Sequence, residues 1–376
     1  MDKKTIQRNL LKWFGLHKRV LPWRAVKRDP YQVWLSEIML QQTQVATVIP
    51  YFTRWLERFP ILADFAAAPL DDVLKQWEGL GYYSRARNFH RAAQMVMNEH
   101  AGEIPSTVEG LLKLPGIGRY TAGAIASFAF GRDAPVLDGN VKRVWARLFV
   151  LTEIDDDALW ALSVELLPKG RAGEFNEALM DLGATICTPR NPKCSACPLV
   201  EQCAAYEQGN PERYPIKVAK TATPHKNIGT LVLLNAHGQV LMGQRPNAGL
   251  LGGLWEFVSS EIGIAVAEAL PLFDPAADPM TQIAAQVLTR IGSAHLDLQA
   301  MTMLGTVKHA FTHFKITKHV VLAQVDGPLP EFATTIYQQL KWVRLPDLTQ
   351  LALTRSDQKI GEMVLKQKKI KLKIKN

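Results

Sequence analysis

The chain has no apolar run of the roughly 18 or more residues that a bilayer span needs, and Met1-Asp2-Lys3-Lys4 opens it without an apolar signal segment. Neither a membrane-spanning nor a secreted protein is expected; the pattern predicts a cytoplasmic chain. Cysteine is scarce: there are four, all between Cys187 and Cys203. So few thiols, so tightly grouped, argue against a disulfide framework and for a metal site. The first 200 residues also lack the alternating pattern of strands, so this part is expected to be all-α. Position 120 holds no amine, since Tyr120 stands there.

What the chain does have is an excess of positive charge, with 44 Lys and Arg against 35 Asp and Glu. A net charge of +9 suits a polyanion, nucleic acid before membrane. Much of the excess lies between Lys366 and Lys375, read as part of a basic solvated tail over 351–376; non-specific attraction to phosphate is the alternative.

The stretch from Leu111 to Val144 organises the first half. Pro115-Gly116-Ile117-Gly118 forms a turn between two helix-like runs, and Gly116 and Gly118 can each take a positive φ and admit a close backbone approach. Arg119 and Thr121 then open an Ala-rich helical run to Phe130, whose start offers free N–H groups and partial positive charge to a phosphate. A plain helix–helix connection is the blander reading. Asp138 is a lone carboxylate among apolar neighbours where a helix N-cap is expected. Glu37 has apolar neighbours on both sides. It is either a solvent-facing glutamate near a helix start or a partly buried acid that holds its proton near neutral pH. Gln41, Gln42 and Thr43 follow and suit base edges, and Trp23-Arg24 ends the first helical run as core or as pocket wall. Gly79 to Ser84 is a glycine loop presenting Tyr82 and Tyr83, which can wedge between bases or simply pack.

Helices are predicted over 5–20, 33–59 with a break at Pro50, 71–78, 85–99, 107–130 around the hairpin, 139–150, 157–168 and 171–188. Residues 1–213 therefore read as one helical region and 214–227 as a linker. From 228 to 350 the pattern is α+β. Strands are expected over 228–234, 239–243, 255–257, 301–307, 314–325 and 342–343, with helices near 262–270, 278–292 and 334–340. Cys187, Cys194, Cys197 and Cys203 are separated by six, two and five residues, a spacing that suits one four-thiolate site without choosing zinc or iron. Such a closed site leaves no open position for substrate; its role is to hold the loop from which Arg190 and Lys193 project towards phosphates.

Leu114-Pro115-Gly116-Ile117-Gly118-Arg119-Tyr120-Thr121-Ala122 followed by Val136-Leu137-Asp138 resembles the helix-hairpin-helix-Gly/Pro-Asp signature of DNA glycosylases. With Leu35 to Thr43, Gly79 to Arg85 and the four cysteines, the resemblance is to the adenine DNA glycosylase family and covers roughly residues 5–345. Gly252-Gly253-Leu254-Trp255-Glu256-Phe257 resembles the start of a nudix motif, but no glutamate-rich run follows to hold magnesium, so the second domain reads as a binding module.

The resemblance implies base excision from double-stranded DNA containing adenine opposite 8-oxoguanine or guanine. It implies one [4Fe-4S] cluster on the four cysteines and a monomeric, nucleoid-associated, bacterial-type enzyme without a membrane partner. It implies that protonated Glu37 protonates adenine N7 and that Asp138 faces the sugar cation. Tyr120 stands where bifunctional relatives carry the lysine that forms a Schiff base, so base removal by water is expected. Glu177 matches a position that helps hold the adenine, and Gln42 and Tyr82 match positions that fill the opened stack. His309-Ala310-Phe311-Thr312-His313 matches the loop that reads 8-oxoguanine, with Thr312 in place of a serine. Two other readings stay open: a bifunctional pyrimidine glycosylase–lyase, and a non-catalytic iron–sulfur protein that binds damaged DNA.

Overall fold

The computed structural model describes residues 2–152, 155–216, 223–263, 279–293, 296, 298–325 and 336–374, with side chains to 367. The chain divides into two compact units, one of 1–68 and 85–220, the other of 69–84 and 221–376.

The first unit is helical. Its helices are α1 (Lys3–His17), α2 (Pro30–Leu40), α3 (Val45–Arg58) and α4 (Leu62–Ala67), then, after a helix of the second unit, α5 (Leu70–Trp77), α6 (Ser84–Glu99). There follow α7 (Val108–Leu111), α8 (Arg119–Phe130), α9 (Gly139–Leu148), α10 (Asp156–Leu166), α11 (Ala172–Thr185) and α12 (Ala204–Glu207). Several begin on an aspartate whose side chain accepts a backbone N–H, namely Asp2, Asp29, Asp138 and Asp155. The core around the site joins Ile6, Leu10 and Phe14 of α1 to Val141 and Trp145 of α9 and Phe175 and Leu179 of α11.

The expected break at Pro50 lies elsewhere. Pro50 sits inside α3, and the chain turns at 41–44, where Gln42 is left-handed at φ 57°. Arg85 explains the stop. Its buried guanidinium donates to the carbonyls of Ile38, Met39 and Gln41 at the end of α2. It also donates to Thr43 Oγ1 at 3.3 Å. A cation on the last carbonyls satisfies groups that the end of a helix leaves without partners. The short α4 carries too few turns to register as a periodic pattern.

Among the described residues the second unit holds one seven-stranded sheet. Its strands are β1 (His225–Asn235), β2 (Gln239–Gln244), β3 (Trp255–Phe257), β4 (Ser259–Ile262), β5 (Leu298–Ala310), β6 (Lys315–Val325) and β7 (Gln339–Arg344). The order is β3-β2-β1-β6-β5, with β4 on β1 and β7 on β2. β1 and β6 run parallel in unbroken register from His225↔Lys315 to Asn235↔Val325; the other pairs are antiparallel. Helix α13 (Pro279–Arg290) packs on one face, where Gly229 lets it close in: a Cβ there would lie 2.8 Å from Ile283.

Three boundaries move. Residues 69–84, read with the helical half, group with the sheet: Gln244 donates to Asp71, Lys75 to the Leu351 carbonyl, and Glu78 accepts the Leu353 N–H. Tyr214, the first residue assigned to the linker, is buried in the first unit, and 217–222 lie outside the described residues. The tail begins as α14 (Arg355–Ile374), fastened by buried Asp357, which pairs with Lys318 at 2.7 Å. Of the three helices predicted in this half, 279–290 is present, 264–270 and 334–335 lie outside the described residues, and Gln339 and Leu340 belong to β7.

Gly123 on α8 faces the segment that delivers Asp138, and a Cβ on it would stand 2.1 Å from the Pro135 carbonyl oxygen. Backbone cannot yield as a side chain can. Gly123→Ala is therefore expected to lower stability by about 1–3 kcal/mol, read from the urea transition of the helical unit.

Candidate active site

A pocket of about 990 Å³ opens in the helical unit among α2, α8, α11, the head of α9 and the loop after α1. It is lined by Glu37, Tyr120, Asp138, Glu177, Trp23, Arg24, Gln41, Gln42 and Thr43, which sequence reasoning singled out, and by Asn140, Met180 and others. Gly118 also lines it.

Glu37 faces inward from α2 and is 4% exposed. The Tyr120 hydroxyl donates to its Oε2 at 2.8 Å. Burial pushes the Glu37 carboxyl up to about 7; Glu177 and Asp138 add to the rise, while the Tyr120 hydrogen bond and Arg24 oppose it. Burial, followed by the charges of Glu37 and Asp138, raises the Tyr120 phenol well above its ordinary range. Tyr120 is thus a proton-bearing donor, not a base.

Asp138 is an N-cap and a pocket wall at once. Val141 N–H donates to its Oδ1 at 2.7 Å and the Asn140 amide to its Oδ2 at 2.9 Å. Asn140 is held in turn by Arg143, which donates to Asn140 Oδ1 at 2.8 Å, to the Gly183 carbonyl at 2.6 Å and to the Cys187 carbonyl at 2.7 Å. Asn140 and Arg143 carried no signal that sequence reasoning used, although their spacing of three places both on one face of α9.

Trp23 and Arg24 are largely enclosed and both line the pocket, so they are core and pocket wall at once. The Arg24 side chain is 8% exposed and bound to Glu177 at 3.1 Å and Asp181 at 2.7 Å. Arg28 holds the other Glu177 oxygen at 2.9 Å and Arg19 reaches Asp181 at 2.6 Å. Burial alone would raise Asp181, but hydrogen bonds from Arg24 and Arg19 overcome it and hold the carboxyl below its ordinary value. Trp23 is 6% exposed and meets Phe52 edge-on at 5.4 Å. Arg19, Arg28 and Asp181 were not singled out in the sequence: their partners lie about 150 residues away, and separation along the chain hides such pairs.

The hairpin glycines differ. Gly116 takes φ +80°, and a Cβ there would strike Asn88 at 2.6 Å. Gly118 does not use the positive φ open to it: it lies at φ −94° as the N-cap of α8 and supplies no side-chain cap to the first N–H groups of that helix. Lys142 points away and pairs with Asp156 at 2.5 Å. Among the described residues lining the pocket there is no lysine.

The four cysteines surround one small cavity beside Arg147. Arg147 donates to Cys187 Sγ at 3.4 Å and to the Thr188 carbonyl at 2.7 Å. No three His, Cys, Asp or Glu side chains among the described residues converge on a single-ion site. Thiols arrayed around a cavity suit a polynuclear iron–sulfur group, whose ligands stand apart around a cluster. Arg190 and Lys193 are exposed on the loop between the first two cysteines, which Thr188 braces through the Arg190 carbonyl at 2.9 Å.

In the second unit the β5–β6 turn is closed by Phe311 N–H donating to the Phe314 carbonyl at 2.8 Å. Phe311 stacks on Phe314 and meets His309 edge-on, both at 4.6 Å. Burial, then Lys359 and Lys318, lowers the His309 pKa. Thr312 and His313 are exposed at the tip, and the Thr312 hydroxyl is hydrogen-bonded to the Tyr82 phenol, the proposed wedge. The nudix-motif Glu256 is committed to Arg245 at 2.9 Å and the Tyr337 hydroxyl at 3.0 Å.

Residues 35–169 match the HhH-GPD superfamily of base excision DNA repair proteins, 187–203 the iron–sulfur binding domain of endonuclease III, and 229–363 the NUDIX domain. A thermostable thymine-DNA glycosylase of known structure is 32% identical and superposes with a TM-score of 0.52 over 55% of this chain and 97% of its own. The adenine DNA glycosylase of Rattus norvegicus is 35% identical over 96% of this chain and 78% of its own length. That of Schizosaccharomyces pombe is 31% identical over 99% and 92%. The cofactor is one [4Fe-4S] cluster, the substrate is DNA, and among the described residues no helix is long and apolar enough to cross a membrane. Relatives more than 30% identical over nearly all of this chain and most of their own length show its kinship: the chain belongs to the adenine DNA glycosylase family.

Proposed function

We propose that this glycosylase removes adenine mispaired with 8-oxoguanine or guanine by hydrolysis, without cutting the strand. The observation that carries the reading is Glu37, buried, hydrogen-bonded by Tyr120 and sharing one pocket with Asp138. The mispaired adenine leaves the duplex, at a cost lower than for a paired base, and enters this pocket. Glu37 gives its proton to N7 as the C1′–N9 electron pair moves onto the base. Asp138, held by Val141 N–H and Asn140, faces the growing positive charge on the sugar and bonds transiently to C1′. Water supplies the hydroxyl at C1′ and returns a proton to the site. Glu177, with Arg24 and Arg28 on its oxygens, holds the adenine edge beside Trp23.

Gln42 and Tyr82 fill the vacated stack. Gly116 and Gly118 bring backbone to a phosphate, as Arg190 and Lys193 do from their loop. Cys187, Cys194, Cys197 and Cys203 would hold the cluster, which supplies rigidity to that loop. The turn with His309, Phe311, Thr312 and His313 reads the opposing 8-oxoguanine.

The pairing specificity is tested by single-turnover release from matched duplexes carrying adenine opposite 8-oxoguanine, guanine or thymine; equal rates on all three would refute it. Because the acid works protonated, release falls as pH rises through about 7. Glu37→Gln should slow release by at least 10²-fold while mispair affinity in a mobility-shift assay is retained. With Lys142 paired outside and Tyr120 unable to form an imine, borohydride should trap no covalent protein–DNA adduct at a yield comparable with base release.

A further inference from the structure

Asp181 lies one turn beyond Glu177 on α11 and is fully buried, yet it does not line the pocket and takes no part in the steps above. Its partners are unusually many. Oδ1 accepts from Arg19 Nε at 2.7 Å and Arg24 Nη2 at 3.0 Å. Oδ2 accepts from Arg24 Nη1 at 2.7 Å and the Arg19 backbone N–H at 3.1 Å. Arg24 therefore spends its terminal fork on Asp181, which leaves Nε for Glu177. A guanidinium is planar and rigid, so gripping its fork fixes where Nε points.

The charges make a second point. Arg19, Arg24 and Arg28 meet two carboxylates, Glu177 and Asp181. Four groups face Glu37 from the elements packed on it: Tyr120 of α8, Asp138 at the head of α9, Glu177 of α11, and Arg24 of the loop before α2. Arg24 alone among them is a cation, and it favours the charged form of the acid.

We infer that Asp181 is a positioning residue for adenine release: it fixes the guanidinium plane through which Arg24 holds Glu177 to the base, and it neutralises Arg24 so that Glu37 keeps its proton. The inference rests on Glu37 as the proton donor. Loss of Asp181 leaves Arg24 with only Glu177 to offset it, and a freer cation stabilises the Glu37 carboxylate.

The test is the pH profile of single-turnover release, from full-length protein with its cluster, on duplex with adenine opposite 8-oxoguanine. Asp181→Asn is expected to move the alkaline limb to lower pH by about one unit and to cut the plateau rate roughly 10- to 100-fold. Duplex affinity should stay within about threefold (under ~1 kcal/mol by the same tenfold-per-1.4 kcal/mol conversion). Asp181→Glu keeps the charge and should restore the limb while the plateau stays low. If Asp181→Asn does not fold, Arg24→Gln/Asp181→Asn removes cation and counter-charge together; its limb should move upward from the unsubstituted protein's. A limb that stays put in Asp181→Asn, or moves downward in the double variant, overturns the role of Asp181. Absence of any limb near the Glu37 value in the unsubstituted protein would instead fault Glu37 as the donor.

Discussion

The burial of one carboxyl group sets the terms for the rest of the site. In water a glutamate is ionised at neutral pH; here the fold removes water from Glu37 and supplies a phenol as its hydrogen-bond partner, and the burial favours the protonated form. That choice dictates others. Glu37 comes from the largely buried helix α2, and the Arg85 guanidinium ends that helix just before Gln41 and Gln42 of the pocket wall. A second carboxylate must stay close without sharing the same enclosure, and Asp138 does so at a helix head where backbone and amide N–H groups satisfy it.

The pieces that bear on chemistry are tied together more tightly than their places in the chain suggest. One arginine, Arg143, touches the first cysteine's carbonyl, the α11 backbone and the asparagine that holds Asp138. Arg147, one turn on, is buried against the same cysteine loop and donates to the Tyr214 carbonyl at 3.0 Å. The cysteine loop is thereby joined to Asp138 by a chain of hydrogen bonds that fails if the loop loosens.

Motifs with a local cause were legible in sequence. The hairpin glycines, the Asp138 cap, the cysteine spacing and the alternation of the second half each reflect a rule acting within a few residues, and the elements appear close to where those rules put them. Contacts across a hundred residues or more were not legible. The pairing of Arg19, Arg24 and Arg28 with Asp181 and Glu177 leaves no mark in the sequence, even though Arg24 and Glu177 stand out singly, because only the fold brings the partners together. Pro50 misled for the complementary reason: a local breaker is outvoted when tertiary contacts decide where a helix stops. Residues 69–84 misled similarly, being helical in pattern yet joined to the sheet by Asp71, Lys75 and Glu78.

The lysine-rich end of the chain looks like an appendage, and its first turns are nothing of the kind. Asp357 is wholly enclosed, takes the Phe257 N–H from β3 and the Lys318 ammonium from β6, and is followed along α14 by buried Ile360 and Val364. The sheet is therefore completed from beyond its last strand. A polypeptide released at residue 350 would leave an ammonium shut inside the domain without the anion that pairs with it, so the sheet cannot finish folding until the first turn of α14 has been made.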